Sequence, residues 1–302
     1  MANATTNQDV FSPTVLADAV SAGFPGVRAL YGTGAVITNW TMPHRTSGLR
    51  VHVPYLGNIG EMEILPPNEQ HPTDPTAVAG LTMTGLDITA EQALVQHGGK
   101  MFARTVWSEM AAVYTDVYEE GSRQVIESIE RGVDTAMINA ALSTTLEHDI
   151  YDAGTPVAAG WKQLTKARMK FGDEQQGVIG AIVHSATFES LLEEADGFGR
   201  PFIRDIGEDG TAVSTNGLKI MTSDRLPVED DGVSPPKYTS LILKRNSLVF
   251  WANARPRVDQ DRDISTDVDA IAAHIYFVSH CYSRMPGSTK PGVVRIVHNG
   301  PS

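Results

Sequence analysis

The chain has 302 residues, 41% of them hydrophobic and 20% charged, with a formal net charge of -12 and a sequence pI near 5.1. A globular chain of this size buries roughly three quarters of its unfolded surface, so one large or two modest domains fit, and the ordinary composition excludes disordered and coiled-coil classes. The acidic balance repels phosphate backbones and no basic patch offsets it, which argues against a nucleic-acid reader.

Cys281 is the only cysteine, so no intramolecular disulfide forms and a reducing compartment suits folding. The opening residues show no basic, apolar, cleavable pattern, and no apolar run reaches transmembrane length, so neither a signal peptide nor a membrane partner is expected.

Before about residue 45 regular periodicity is scarce. Phe11, Val15, Leu16, Val20 and Phe24 space as a brief amphipathic helix until Gly23, Pro25 and Gly26 interrupt it, which predicts an N-terminal arm. Two strand-like runs come after it, Leu49 to Leu56 and Thr89 to Val106, separated by a polar excursion from Gly57 to Asp87. Pro66, Pro67, Pro72 and Pro75, with Gly57, Gly60, Gly80 and Gly85, bar that excursion from helix or central strand. Compact domains rarely keep so long a connection without a function. A two-stranded ribbon is marginal alone in water, so one reaching far from its core is expected to lie on a neighbouring copy. Tyr55, Ile59, Met62, Ile64 and Leu65 are then its inter-subunit contacts.

The strongest helical signal comes next. Val106, Met110, Val113, Val117, Val125, Ile129, Val133, Met137 and Ala140 recur at three- and four-residue steps, opposite a face of charged residues, with a gap around Gly121 that predicts a bend or division. Unbroken from Val106 to Leu142, the helix would run about 55 Å and needs a sheet beneath it.

Beyond Gly154 the elements shorten. The pattern predicts a helix near Trp161 to Phe171, an apolar strand Val178 to Val183, a helix from Ser185 to Glu194 capped by Ser185, and a strand Leu218 to Thr222. Tyr238 to Trp251 reads as strand with a kink or turn at Ser247, Ala270 to Tyr282 as a longer strand, and Val293 to His298 as a further one.

Chemical motifs fare poorly. Asp259, Asp261 and Asp263 alternate as calcium ligands would, but Ile264 and Ala270 stand where such a loop needs glycine and glutamate. His184-Ser185 sits between strand and helix like a nucleophile elbow, yet Val183 and Thr187 replace its glycines. His280 and Cys281 point to opposite faces of one strand, while His274 and His280 share a face about 20 Å apart, too far to chelate one ion. Tyr31 to Val36 and Gly287 to Lys290 lack the frames of nucleotide and phosphate loops. No catalytic, cofactor or metal residue is assigned.

The order of these parts resembles the tailed-bacteriophage major capsid protein family, with its Hong Kong 97-like fold of mixed α+β class. Three segments carry the resemblance: Gly180 to Glu189, Gly217 to Pro227, and Tyr238 to Phe250 followed by Arg257 to Asp263. The resemblance implies an N-terminal arm at 1–45, an extended loop at 46–104, and a spine helix with the start of a peripheral domain at 105–154. It further implies an axial domain at 155–255 and C-terminal strands of the peripheral domain at 256–302.

In function, the resemblance implies a non-enzymatic protein that self-assembles into pentamers and hexamers of an icosahedral shell around phage double-stranded DNA, without sequence-specific binding. The implied location is the virion, after assembly in the host cytoplasm, with room for separate scaffolding, portal and decoration proteins. No long N-terminal extension resembles a fused scaffold, and no cross-linking residue is assignable. An encapsulin-like nanocompartment shell is the rival within the fold. A soluble metal-dependent hydrolase using His184 is the rival from another class.

Overall fold

The computed structural model describes residues 30, 34–41, 46–47, 50–56, 88–105, 117–152, 154, 157–195, 201, 203–206, 212–214, 217–230, 232, 235–253, 256–263 and 268–300. Its elements in chain order begin with β1 (Val36–Asn39), β2 (Thr46–Ser47), β3 (Arg50–Leu56), β4 (Ile88–Leu94), β5 (Gln96–Thr105), the helix α1 (Val117–Leu142) and β6 (Glu147–Asp149). Then come α2 (Trp161–Met169), β7 (Val178–Val183), α3 (Ser185–Glu193), β8 (Ile203–Ile206), β9 (Ala212–Ser214), β10 (Lys219–Thr222) and β11 (Val228–Glu229). The chain closes with β12 (Lys237–Lys244), β13 (Leu248–Ala252), β14 (Arg257–Asp263), β15 (Val268–Cys281) and β16 (Val293–Asn299).

These strands form three sheets. The first has the order β1-β13-β15-β14, with β5 also paired to β15. The second runs β6-β16-β12-β7-β10-β9-β8, with β11 on β12, and the third is the ribbon β2-β3-β4.

Period-two alternation explains the layering. On β15, Ile271, Ala273, Ile275 and Phe277 face inward and are buried with Val125, Ile129, Val133, Met137 and Ala141 of α1. Ile182, Leu241, Leu243, Met221 and Val293 of the second sheet close that core from the other side. The opposite face of the same sheet presents Ala181, Val183, Ile220, Ile242, Val294 and Ile296 to Trp161, Leu164, Phe171 and Leu191. The second sheet is therefore shared between two cores.

Several expectations need correction. Gly121 does not divide α1, which runs through it as 26 residues of helix; a Cβ there would sit 2.5 Å from the Phe102 ring, so glycine marks the close approach of α1 to β5. Residues 106–116 of the expected spine, and the brief helix over 11–24, lie outside the described residues. The run Thr89 to Val106 is two strands, broken at Val95 and divided between the ribbon and the first sheet. The run Tyr238 to Trp251 is likewise two strands, in different sheets, parted by a turn in which Asn246 takes φ 59.

Strand membership also cuts across the expected domain ranges. The first 45 residues contribute β1, parallel to β13; β13 joins the first sheet although it lies within 155–255; β16 joins the second sheet although it lies within 256–302. The cap of α3 is His184, not Ser185: its Nδ1 accepts from the Ala186 amide at 3.2 Å.

Candidate assembly interface

The ribbon has one covered face and one bare face. Residues Arg50 to Leu56 pair antiparallel with Ile88 to Leu94, Val53 opposite Glu91 and Tyr55 opposite Thr89. Val51, Val53 and Ala93 are buried against Val249, Val278 and Tyr282, on the face of the first sheet that points away from α1. Alternation leaves Arg50, His52, Pro54 and Leu56 on the other face with Ala90, Gln92 and Leu94, all exposed. Leu56 and Leu94 keep 48% and 60% of their surface in water, which leaves that face bare among the described residues.

Directional bonds reinforce the covered face. Glu91 accepts from His280 Nε2 at 2.6 Å, from the Ser283 amide at 3.2 Å and from the Ser283 hydroxyl. Burial raises the Glu91 carboxyl, but the Ser283 and His280 hydrogen bonds outweigh it and hold the group below its usual range. The Gly287 amide donates to the Leu56 carbonyl at 3.1 Å, so the outgoing strand is fastened as well.

Of the expected contact residues, Tyr55 lies on the covered face, half-buried, its ring edge-on to Tyr282 of its own chain with centroids 6.0 Å apart. The register puts Pro54 and Leu56, not Tyr55, on the bare face beside it. Ile59, Met62, Ile64 and Leu65 lie outside the described residues.

The groups tested for chemistry are engaged structurally. The Nδ1 of His184 is spent on capping α3, and its Nε2 stands 3.8 Å from Asp224. A serine–histidine pair with no sequence signature, Ser240 Oγ with His298 Nε2 at 2.9 Å, has no exposed surface on either residue, so no substrate reaches it. Burial lowers the His298 pKa and favours the neutral ring. Cys281 is buried and its thiol is pushed up to about 12, chiefly by desolvation. The alternating aspartates belong to β14, a strand and not a loop, where Arg257 Nε pairs with Asp259 at 2.9 Å. Ser288 and Lys290 of the failed phosphate-loop motif bind Glu174 and the Lys170 carbonyl. Among the described residues, no group of three or more His, Cys, Asp or Glu is placed to hold a metal, and no helix is long and apolar enough to cross a membrane.

Solved structures match this arrangement over most of its length. A chain from the capsid of Ralstonia phage GP4 superposes with a TM-score of 0.62, covering 91% of this chain and 92% of that one at 8% identity. The chain has the Hong Kong 97-like fold. Within that fold, the capsid asymmetric unit of cyanophage Pam1 gives a TM-score of 0.58 at 14% identity, covering 85% of this chain and 86% of that one. The holo-SrpI encapsulin complex from Synechococcus elongatus gives 0.58 at 13% identity, covering 87% and 85%. No protein-family profile and no curated protein sequence matches the chain. At such identities the Hong Kong 97-like backbone is shared and side-chain roles are read from this chain alone.

Proposed function

We propose that the chain is the major capsid protein of a tailed bacteriophage, assembling with copies of itself into pentamers and hexamers of an icosahedral shell that encloses double-stranded DNA. The observation that carries this reading is the near-complete, reciprocal overlap with a phage capsid chain, 91% of one and 92% of the other. The ribbon supports it: a strand pair with one face sealed on its own body and one face bare is built to meet a second copy. Many modest contacts of this kind suffice for a closed shell, because each later contact is effectively intramolecular.

In this reading residues 1–45 are the arm, 46–104 the extended loop, and α1 the spine, with the first and second sheets as the centres of the peripheral and axial domains. Leu56 and Leu94 join Ile59, Met62, Ile64 and Leu65 as candidate inter-subunit residues, while Tyr55 packs on its own chain. The net charge of -12 suits a lining that does not adsorb the packaged polymer. Scaffolding, portal and decoration proteins are further partners of such a shell, and host cytoplasm is its place of assembly. The hydrolase expectation draws no support from His184, whose Nδ1 serves the backbone.

The encapsulin match keeps a second reading open, a shell around protein cargo. Electron microscopy of the purified protein, with the nucleic-acid content of any particle, separates them. Megadalton shells that package DNA in an infected host support the capsid reading, shells holding protein alone support the compartment, and a small discrete oligomer overturns both. Deleting residues 66–75 is expected to leave the subunit folded by circular dichroism while abolishing regular particles.

A further inference from the structure

The ribbon is attached in two different ways. Val51, Val53 and Ala93 supply apolar contact, which is non-directional and tolerates sliding. Glu91 supplies three hydrogen bonds with fixed geometry, all to residues at the end of β15 and just beyond it. The segment that receives them continues as a short loop with further ties. Its Gly287 amide binds the Leu56 carbonyl at 3.1 Å and its Met285 amide binds the Lys290 carbonyl at 2.9 Å. Its Ser288 hydroxyl and Thr289 amide bind the Glu174 carboxylate, and Lys290 Nζ binds the Lys170 carbonyl at 3.2 Å. Glu174 and Lys170 belong to the connection between α2 and β7. One loop therefore grips the ribbon at one end and the second sheet's helical side at the other.

We infer that residues 283–290 form a carboxylate-gated clamp in which Glu91 fixes the direction the ribbon takes from the body and couples that direction to the α2–β7 connection. Its bearing on assembly rests on the reading of the ribbon as an arm; the clamp itself does not.

The gate follows from the chemistry of Glu91. Ionised, the carboxylate accepts from the His280 ring and from the Ser283 amide and hydroxyl together; protonated, it loses its charge and part of its accepting capacity, which weakens these bonds. The groups facing it from the body are His280 and Ser283, with the Cys281 thiol and the Tyr282 phenol near enough for its charge to add to the upward shift that burial gives each. On the ribbon its cross-strand neighbour is the apolar Val53. A carboxyl depressed in the folded state stabilises its contacts above the ordinary glutamate value, and that stabilisation is lost as pH falls through the folded value, so acid opens the clamp.

Spin labels on cysteines introduced at the exposed Ala90 and Gln176 measure the ribbon-to-body distance by pulsed electron resonance. Buried Cys281, its thiol pushed up to about 12, stays unlabelled in a control without added cysteines. Unassembled subunits near pH 7 are expected to give one narrow distribution, broadened about twofold by E91Q and by S283A. Acidification well below the ordinary glutamate value should broaden the parent and leave E91Q unchanged. E91Q with native circular dichroism and the parent's narrow distribution would overturn the clamp, as would a parent distribution indifferent to acid. Particle formation is scored separately. A parent that never forms shells while E91Q broadens the distribution sinks the shell reading and keeps the clamp; a shell-forming parent whose E91Q variant keeps the narrow distribution does the reverse.

Discussion

Asp134 has no exposed surface, yet it joins three parts of the chain: it lies on α1, accepts from the Leu30 amide at 3.2 Å and pairs with the Arg225 guanidinium. Burial, the largest influence, raises its carboxyl despite both partners. Removing one member of a buried pair is strongly destabilising, but Arg225 is 32% exposed and can reach water. D134A is therefore expected to destabilise unassembled subunits by about 2 kcal/mol in urea unfolding, less than the loss from a fully enclosed pair. His298 works through protons instead. Its buried ring resists protonation, while the unfolded chain takes up a proton near the ordinary imidazole value, so stability is full above about pH 6.5 and declines as pH falls below it. Urea midpoints from pH 7.5 down to about pH 5 should fall in the parent more than in H298Q. Gly121 gives the third test at this scale. Alanine gains about 1 kcal/mol of helix propensity but meets the Phe102 ring, and overpacking costs about 1–3 kcal/mol. G121A should be less stable than the parent, and F102L in the same chain should restore it.

At the scale of elements, legibility tracks the strength of the local pattern. The run Val178–Val183 is a strand with the bounds expected, because a short run, apolar but for Gly180, between Gln175-Gln176-Gly177 and His184-Ser185 admits little else. The apolar run from Tyr238 to Trp251 is harder: nothing in its hydrophobicity says that Leu243 and Leu248 end in different sheets, and the one marker is an asparagine able to take a left-handed φ. Strand β1 is illegible because four residues, paired among the described strands to β13 alone, leave no periodic trace. The ribbon's two strands are legible from the runs at Leu49 to Leu56 and from Thr89 onward, while the proline-rich excursion between them lies outside the described residues; the ribbon's attachment is not legible. Glu91 meets His280 across 189 positions and Ser283 across 192, and no local signal spans such distances. Strand β14 adds a prediction here. It lies at the edge of the first sheet with Asp259, Asp261 and Asp263 exposed along one face, charges that oppose edge-to-edge pairing. Replacing all three by valine should raise light scattering of the unassembled subunit without changing its circular dichroism.

For the whole molecule, the deciding feature is that the second sheet serves two cores with its two faces. Ile182 and Leu241 pack towards α1 while their neighbours Ala181 and Ile242 pack towards α2 and α3, so neither core survives without the sheet. The unassembled subunit is therefore expected to unfold in one cooperative step. Trp161 in one core and Trp251 beside the ribbon report on distant regions, and single-tryptophan variants retaining each should give superimposable urea curves. Two separate midpoints would mean that the sheets melt independently.

Strand β16 lies inside the second sheet, between β6 and β12, although β6 ends at Asp149, β12 ends at Lys244 and β16 begins only at Val293. During synthesis those two earlier strands leave the ribosome with a gap between them that only residues 293–299 can fill. A nascent or truncated chain ending before Val293 keeps two unsatisfied edges and a breached core, which marks it for proteolysis instead of admission among finished copies.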